Sequence, residues 1–196
     1  ALHDNLERQQ SENIKYNKET KETMTKISFN QVTEVILKKY KTSKKEHDII
    51  LKKIDSFLHD VRAALEKENI DAYVMLGGSA AKGTFLKHDF DCDVFVRFIY
   101  DKYKEKDISN LLEKALKHMK GTTYERVHGS RDYFQGKWKD LHYEVIPVLY
   151  INDKRMAKNI TDMSPLHVEW LNQHLTEKIR DQIILTKLFF KAQKVY

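Results

Sequence analysis

Between Ile50 and Leu65 the apolar residues Ile50, Ile54, Phe57, Leu58, Val61 and Leu65 return every three or four positions, the period that turns one face of an α-helix toward a core. Just ahead of them, Ser43-Lys44-Lys45-Glu46 has the form of a capping box, in which a serine and a glutamate three residues on satisfy free N–H groups at a helix start. Together they predict an amphipathic helix over residues 44–69. The period then changes. Ala72-Tyr73-Val74-Met75-Leu76 is a short apolar run of strand type. Cys92-Asp93-Val94-Phe95-Val96-Arg97-Phe98 is a second, with the β-branched and aromatic residues that suit a pleated surface. Residues 107–119 read as a helix, and 124–128 and 142–151 as further strands. Pro165 behind Ser164 suits the first turn of another helix, whose pattern runs on to Lys194. Helices interleaved with a few strands predict an α+β or mixed-sheet unit.

Residues 1–27 are polar and highly charged without apolar spacing, which reads as a tail, a frayed helix or vector-derived sequence rather than core. The full length of 196 residues, 41% of them hydrophobic, suffices for one packed domain with helical additions, here a helical extension on the N-terminal side. Lys and Arg number 35 against 29 Asp and Glu, a net charge of +6 that favours polyanionic partners such as nucleic acid or nucleotides. The single cysteine, Cys92, excludes an intrachain disulfide and a Cys-rich zinc site and suits a reducing compartment. No run of about 18 apolar residues and no signal-peptide pattern occurs, so the expectation is a cytoplasmic protein with no membrane partner.

The chemistry is concentrated between the first two strands. Of six glycines, three lie in Gly77-Gly78-Ser79-Ala80-Ala81-Lys82-Gly83-Thr84. Such a loop lets backbone N–H groups approach a phosphate, adds the Ser79 hydroxyl and the Lys82 charge, and leads into a helical turn. Immediately after it come Asp89, Asp91 and Asp93. On a strand, residues i and i+2 share a face, so Asp91 and Asp93 set two carboxylates side by side. Two such charges repel unless a cation lies between them, and Mg²⁺ takes hard oxygen ligands from carboxylates, water and substrate phosphates. A third carboxylate has to converge from another strand. Glu144, the one acid in the apolar run 141–150, is the candidate, while Asp89 fits a loop or helix-cap role. His128 and Arg131, beside a turn, could also approach a phosphate or an attacking hydroxyl.

Taken together, Gly78-Ser79 with Lys82-Gly83-Thr84, Asp91-Cys92-Asp93-Val94-Phe95-Val96 and the strand Glu144 to Pro147 resemble the nucleotidyltransferase superfamily that includes DNA polymerase β. The likeness is greatest to the archaeal-type (class I) CCA-adding tRNA nucleotidyltransferases. It continues through Thr161-Asp162-Met163-Ser164-Pro165-Leu166-His167, Arg180-Asp181 and Leu188-Phe189-Phe190-Lys191, covering residues 30–196. The resemblance implies a polymerase β-like catalytic domain over 28–160, with a short mixed sheet flanked by helices. It also implies a helical segment over 161–196 that completes the nucleotide site and opens a further, truncated domain. Asp91 and Asp93 would hold two Mg²⁺ ions, or Mn²⁺ in their place, and Glu144 the ion that activates the attacking hydroxyl. Gly78, Ser79, Lys82, Lys187 and Tyr196 match nucleotide-contacting positions, His167 matches the family's histidine, and Ser164 stands where it has threonine. Glu144 replaces the usual aspartate and Lys82 a frequent arginine, which keeps the charge but loses the bidentate fork. The implied activity is transfer of a nucleoside monophosphate from CTP or ATP to an RNA 3′ end, with tRNA as the first expectation. The alternatives are a second-messenger or oligoadenylate-type synthase and a non-catalytic RNA-binding module.

Overall fold

The computed structural model describes residues 28–87, 89 and 91–195. The expectations for residues 1–27 and for Tyr196 therefore lie outside the described residues. Contacts divide the chain into two units, residues 1–36 and 37–196, and helix α1 (Phe29–Tyr40) runs across that division.

Helix α2 (Lys44–Lys67) begins as its sequence dictates: Glu46 N donates to Ser43 Oγ at 3.3 Å, and Ser43 N donates to the Glu46 carboxylate at 2.9 Å. Its hydrogen bonds to Lys87 and Ser43 hold the Glu46 carboxyl at about 2, below the usual range. Ile54, Phe57, Leu58, Val61 and Leu65 are buried at the predicted spacing.

Strand β1 (Ala72–Leu76) leads through a five-residue helix α3 (Gly78–Lys82) to β2 (Cys92–Ile99). Helices α4 (Tyr100–Tyr103) and α5 (Ile108–Leu116) follow, then β3 (Thr122–Val127), β4 (Tyr133–Trp138) and β5 (Leu141–Tyr150). The five strands form one sheet in the order β1-β2-β5-β4-β3, with β2 and β5 parallel and every other pair antiparallel. The fold is the expected α+β unit on a mixed sheet.

One face of the sheet carries the main core. Cys92, Val94, Val96 and Phe98 of β2 and Tyr143, Val145 and Leu149 of β5 pack with α2 and α5. Phe57 lies 4.7 Å from the Tyr143 ring and 5.6 Å from that of Trp138, whose indole N–H donates to Asp60 at 3.1 Å. Burying rings this large supplies much of the driving force for collapse.

Two expectations are corrected. Strand β4 went unread because Gln135, Gly136 and Lys137 interrupt its apolar signal. Gly136 is there because a Cβ would come 2.0 Å from the Thr123 carbonyl oxygen. The helix read from Pro165 to Lys194 is two helices, α6 (Ser164–His174) and α7 (Glu177–Ala192), broken where Thr176 caps the second by accepting from Ile179 N at 3.3 Å. Among the described residues no helix is long and apolar enough to cross a membrane.

Candidate active site

The alternation along β2 divides its side chains. Cys92, Val94, Val96 and Phe98 point to the core, which leaves Asp93, Phe95 and Arg97 on the opposite face. Farther along that face, Phe95 and Val148 are sealed by Val168 of α6. At its near end, outside this seal, lies Asp93. In the parallel pairing, Asp93 stands directly beside Glu144, so two carboxylates 51 residues apart in sequence become lateral neighbours. Asp91 precedes Asp93 by two residues and is exposed at the mouth of the strand.

The loop helix closes the other side. Gly77 N donates to the Asp93 carbonyl at 2.7 Å, which ties the start of α3 to β2. Gly78 has φ +55°, and a Cβ there would lie 1.4 Å from Asp93 Oδ2. The carboxylate of Asp93 thus rests against the bare Cα of Gly78, and glycine is required both by backbone conformation and by space. This is a reason for Gly78 that close approach of a phosphate alone did not anticipate. The helix ends at Gly83, φ +65°, where Arg180 Nε donates to the Lys82 carbonyl at 2.9 Å and ties the turn to α7.

Ser79, Lys82, Asp91, Asp93, Glu144 and Lys187 line one cleft of about 500 Å³. Lys187 reaches it from α7, its ammonium donating to the Thr84 carbonyl at 3.2 Å. Burial and the adjacent Asp91 charge raise the Asp93 carboxyl above its ordinary range, partly offset by Lys82 and Lys187. Burial raises the Glu144 carboxyl too, with Asp93 and then Asp91 adding to it. Desolvation and Lys82 lower the Lys187 ammonium, against the pull of Asp93 and Asp89. Asp93 and Glu144 are thus held where their negative charge is under-compensated, as expected of a site that receives a cation. The donors are hard oxygens from two strands and fit Mg²⁺ in kind. Among the described residues no three His, Cys, Asp or Glu side chains are gathered tightly enough to form a ready cage.

Not every expected residue reaches this cleft. Asp89 lines it but is bound by Lys191 of α7 in an ion pair, a role its loop position alone did not disclose. Ser164 and His167 lie on α6, with His167 exposed, and neither lines the cleft. Arg131 is turned away from it. Both its terminal nitrogens meet the carboxylate of the buried Asp162, which also accepts from Leu149 N at 2.8 Å and Asn159 N at 3.0 Å. That network anchors the chain beyond β5, an unpaired buried carboxylate being costly. His128 pairs with Asp132 at 3.1 Å.

The reading of the residues missed a second hollow of about 540 Å³, on the far side of the acids. It shares Asp91 and Glu144 and spreads over Thr123, Glu125, Gln135 and Lys137. Its floor is shared by β3, β4 and β5, and the central one of these, β4, is the unread strand, whose available signal was the alternation of Phe134 and Trp138 with Gln135 and Lys137.

The sheet order, the carboxylates on its two parallel strands and the loop helix against them define the nucleotidyltransferase fold of the polymerase β-like class. A solved structure of the Cid1 poly(U) polymerase bound to MgATP matches it with a TM-score of 0.62 at 17% identity, over 86% of this chain and 49% of that one. The GLD-2/RNP-8 complex matches with a TM-score of 0.61 at 12% identity, over 84% and 50%. In sequence, the chain is similar to the CCA-adding enzyme of Nanoarchaeum equitans, 38% identical over 123 residues, 63% of this chain and 30% of that protein. It is also similar to the CCA-adding enzyme of Methanothermobacter thermautotrophicus, 29% identical over 165 residues, 82% of this chain and 36% of that protein. The chain spans about a third of the length of these curated relatives. No family model matches it.

Proposed function

We propose that the chain carries the catalytic site of a nucleotidyltransferase that adds a nucleoside monophosphate from CTP or ATP to the 3′ end of an RNA, with tRNA lacking its terminal CCA as the acceptor. The observation that supports this reading most is the pairing of Asp93 with Glu144, Asp91 beside them, across one cleft from Ser79, Lys82 and Lys187. Similarity to two CCA-adding enzymes supports the choice of acceptor.

Asp91, Asp93 and Glu144 would hold two divalent cations, Mg²⁺ or Mn²⁺, with Glu144 on the acceptor side. Bound there, the cations supply positive charge to the attacking and leaving oxygens of an in-line displacement. The chain's own cations do the complementary work. Lys82 and Lys187 neutralise and orient the triphosphate, Ser79 offers it a hydroxyl, and Gly78 keeps the Asp93 carboxylate close to the loop. In the transfer, the acceptor 3′-hydroxyl gives up its proton to solvent, its oxygen bonds to the α-phosphorus, the bond from that phosphorus to the bridging oxygen breaks, and pyrophosphate leaves. Residues 28–160 form the catalytic domain on this reading, and residues 161–196 complete the nucleotide site through Lys187.

Radiolabelled CTP and ATP, incubated with the chain and Mg²⁺, test this in three arms: tRNA without its CCA end, an unrelated RNA, and no RNA. Label on the truncated tRNA in preference to the others is expected. Label on any RNA end would leave the transfer but remove the tRNA assignment. A short product made without RNA would favour a nucleotide synthase, and no product in any arm would reject the enzyme.

A further inference from the structure

Asp91 and Glu144 form a wall common to two hollows, and the two differ in chemistry. The cations suited to a triphosphate, Lys82 and Lys187, line only one of them. The other lies over the face of β5, β4 and β3 opposite the main core, and strand register orders its side chains. Glu144 stands opposite Gln135, and Gln135 opposite Glu125. One step along, His142 stands opposite Lys137, and Lys137 opposite Thr123. Neighbouring strands run about 4.8 Å apart, so Gln135 presents its amide about one strand spacing from Glu144.

The orientation of that amide is decided by its neighbour. A carboxylate only accepts hydrogen bonds, and Gln135 Nε2 donates to Glu125 Oε1. With its amide nitrogen turned to Glu125, Gln135 keeps its carbonyl oxygen clear of that carboxylate, and this oxygen asks for a donor. If a 3′-hydroxyl attacks from beside Glu144, the group of the same sugar that can supply a proton one strand away is the 2′-hydroxyl, which deoxyribose lacks.

Resting on the nucleotidyltransferase reading above, we propose that the cross-strand pair Gln135–Glu125 is a positioning site for the terminal ribose of the acceptor. It accepts the 2′-hydroxyl on the Gln135 carbonyl and so sets the 3′-oxygen beside Glu144. Lys137, cross-strand from His142, flanks the path of the preceding phosphodiester.

The test compares two RNA oligonucleotides that both end in a 3′-hydroxyl, one with ribose and one with 2′-deoxyribose at the last nucleotide. The parental chain should use the deoxy-ended acceptor at least about tenfold less efficiently, the scale expected when a built polar group loses its partner. Gln135→Leu should lose that factor on the ribo-ended acceptor, leave the deoxy-ended rate unchanged, and bring the ratio close to one with KM for the triphosphate unaltered. Glu125→Gln, which lets the amide turn either way, should narrow the ratio without removing a side chain. Fluorescence polarisation of the labelled oligonucleotides, without triphosphate, should show the same preference in binding and its loss in Gln135→Leu. An unchanged ratio in folded Gln135→Leu, or an equal ratio in the parental chain, overturns the assignment while leaving the transferase reading intact. No transfer from either acceptor by the parental chain overturns that reading and the assignment with it.

Discussion

Two regions of the same sheet face are built oppositely. Over β2 and β5, helix α6 lays Val168 on Phe95 and Val148, and all three are buried. Arg97, farther along, is caught there too: it pairs with Glu169 at 2.7 Å, lies over the Tyr150 ring at 4.4 Å, and its Nε is enclosed without a hydrogen-bond partner. Over β4 and β3 the same face stays polar and open, with Thr123, Glu125 and Lys137 exposed. The carboxylates stand at the border between them. A strand covered on both faces needs apolar residues at nearly every position, whereas one covered on a single face needs them at every second position. The sealed region therefore holds the acids in place, and the open one leaves room for a substrate beside them.

The largest effect should come at the border. On the proposed reading Asp93→Ala should lower transfer by at least about a thousandfold, roughly 4 kcal/mol of barrier, while the thermal transition is kept, since a proposed cation ligand is removed and not a core contact. Activity within tenfold of the parent, measured with labelled triphosphate, would detach Asp93 from the chemistry. In the sealed region, Phe95→Ala should cost about 3–5 kcal/mol of stability by urea denaturation, the range for truncating a buried ring. The matching change in the open region, Lys137→Ala, should stay within about 0.5 kcal/mol. Equal costs would mean that both regions are packed alike.

Smaller is the effect of Lys82→Ala, which should raise KM for the triphosphate about tenfold with little loss of turnover, because the contact proposed for it would exist already in the ground state. An unchanged KM would take Lys82 out of the site. The smallest concerns Glu144. Its carboxyl is raised by burial and by Asp93, so the fold favours the protonated form. The stability this contributes is present below the unfolded carboxylate pKa and is lost as pH rises through the folded one. Without divalent cations, Glu144→Gln should melt no more than a few degrees above the parent at pH 7, with the gap closing toward pH 4. Added Mg²⁺ should stabilise the parent more than the variant. A gap that widens on acidification would contradict the direction assigned to Glu144.

How much of this was readable beforehand follows from distance along the chain. The glycine loop, the strand that carries Asp93 and the capping box at Ser43 and Glu46 are local patterns, and the structure has them where the spacing put them, with Asp91 one residue ahead of β2. Strand β4 failed as a sequence signal because half of it faces water and Gly136 answers to a carbonyl on another strand. Arg131 failed as a phosphate candidate because its partner, Asp162, lies 31 residues away and is buried.

The amino-acid sequence by itself determined the elements whose causes lie within a few residues: α2 and its cap, the apolar body of β2, and the phosphate-type loop beside two aspartates. Only the tertiary structure decided that Glu144 stands beside Asp93, that Asp93 rests on Gly78, and that Gln135 faces Glu144 on the other side. Helical and strand periods arise from backbone geometry that each short segment carries with it. Strand register across a sheet depends on which faces are buried against which helices, and that is a property of the whole packed chain.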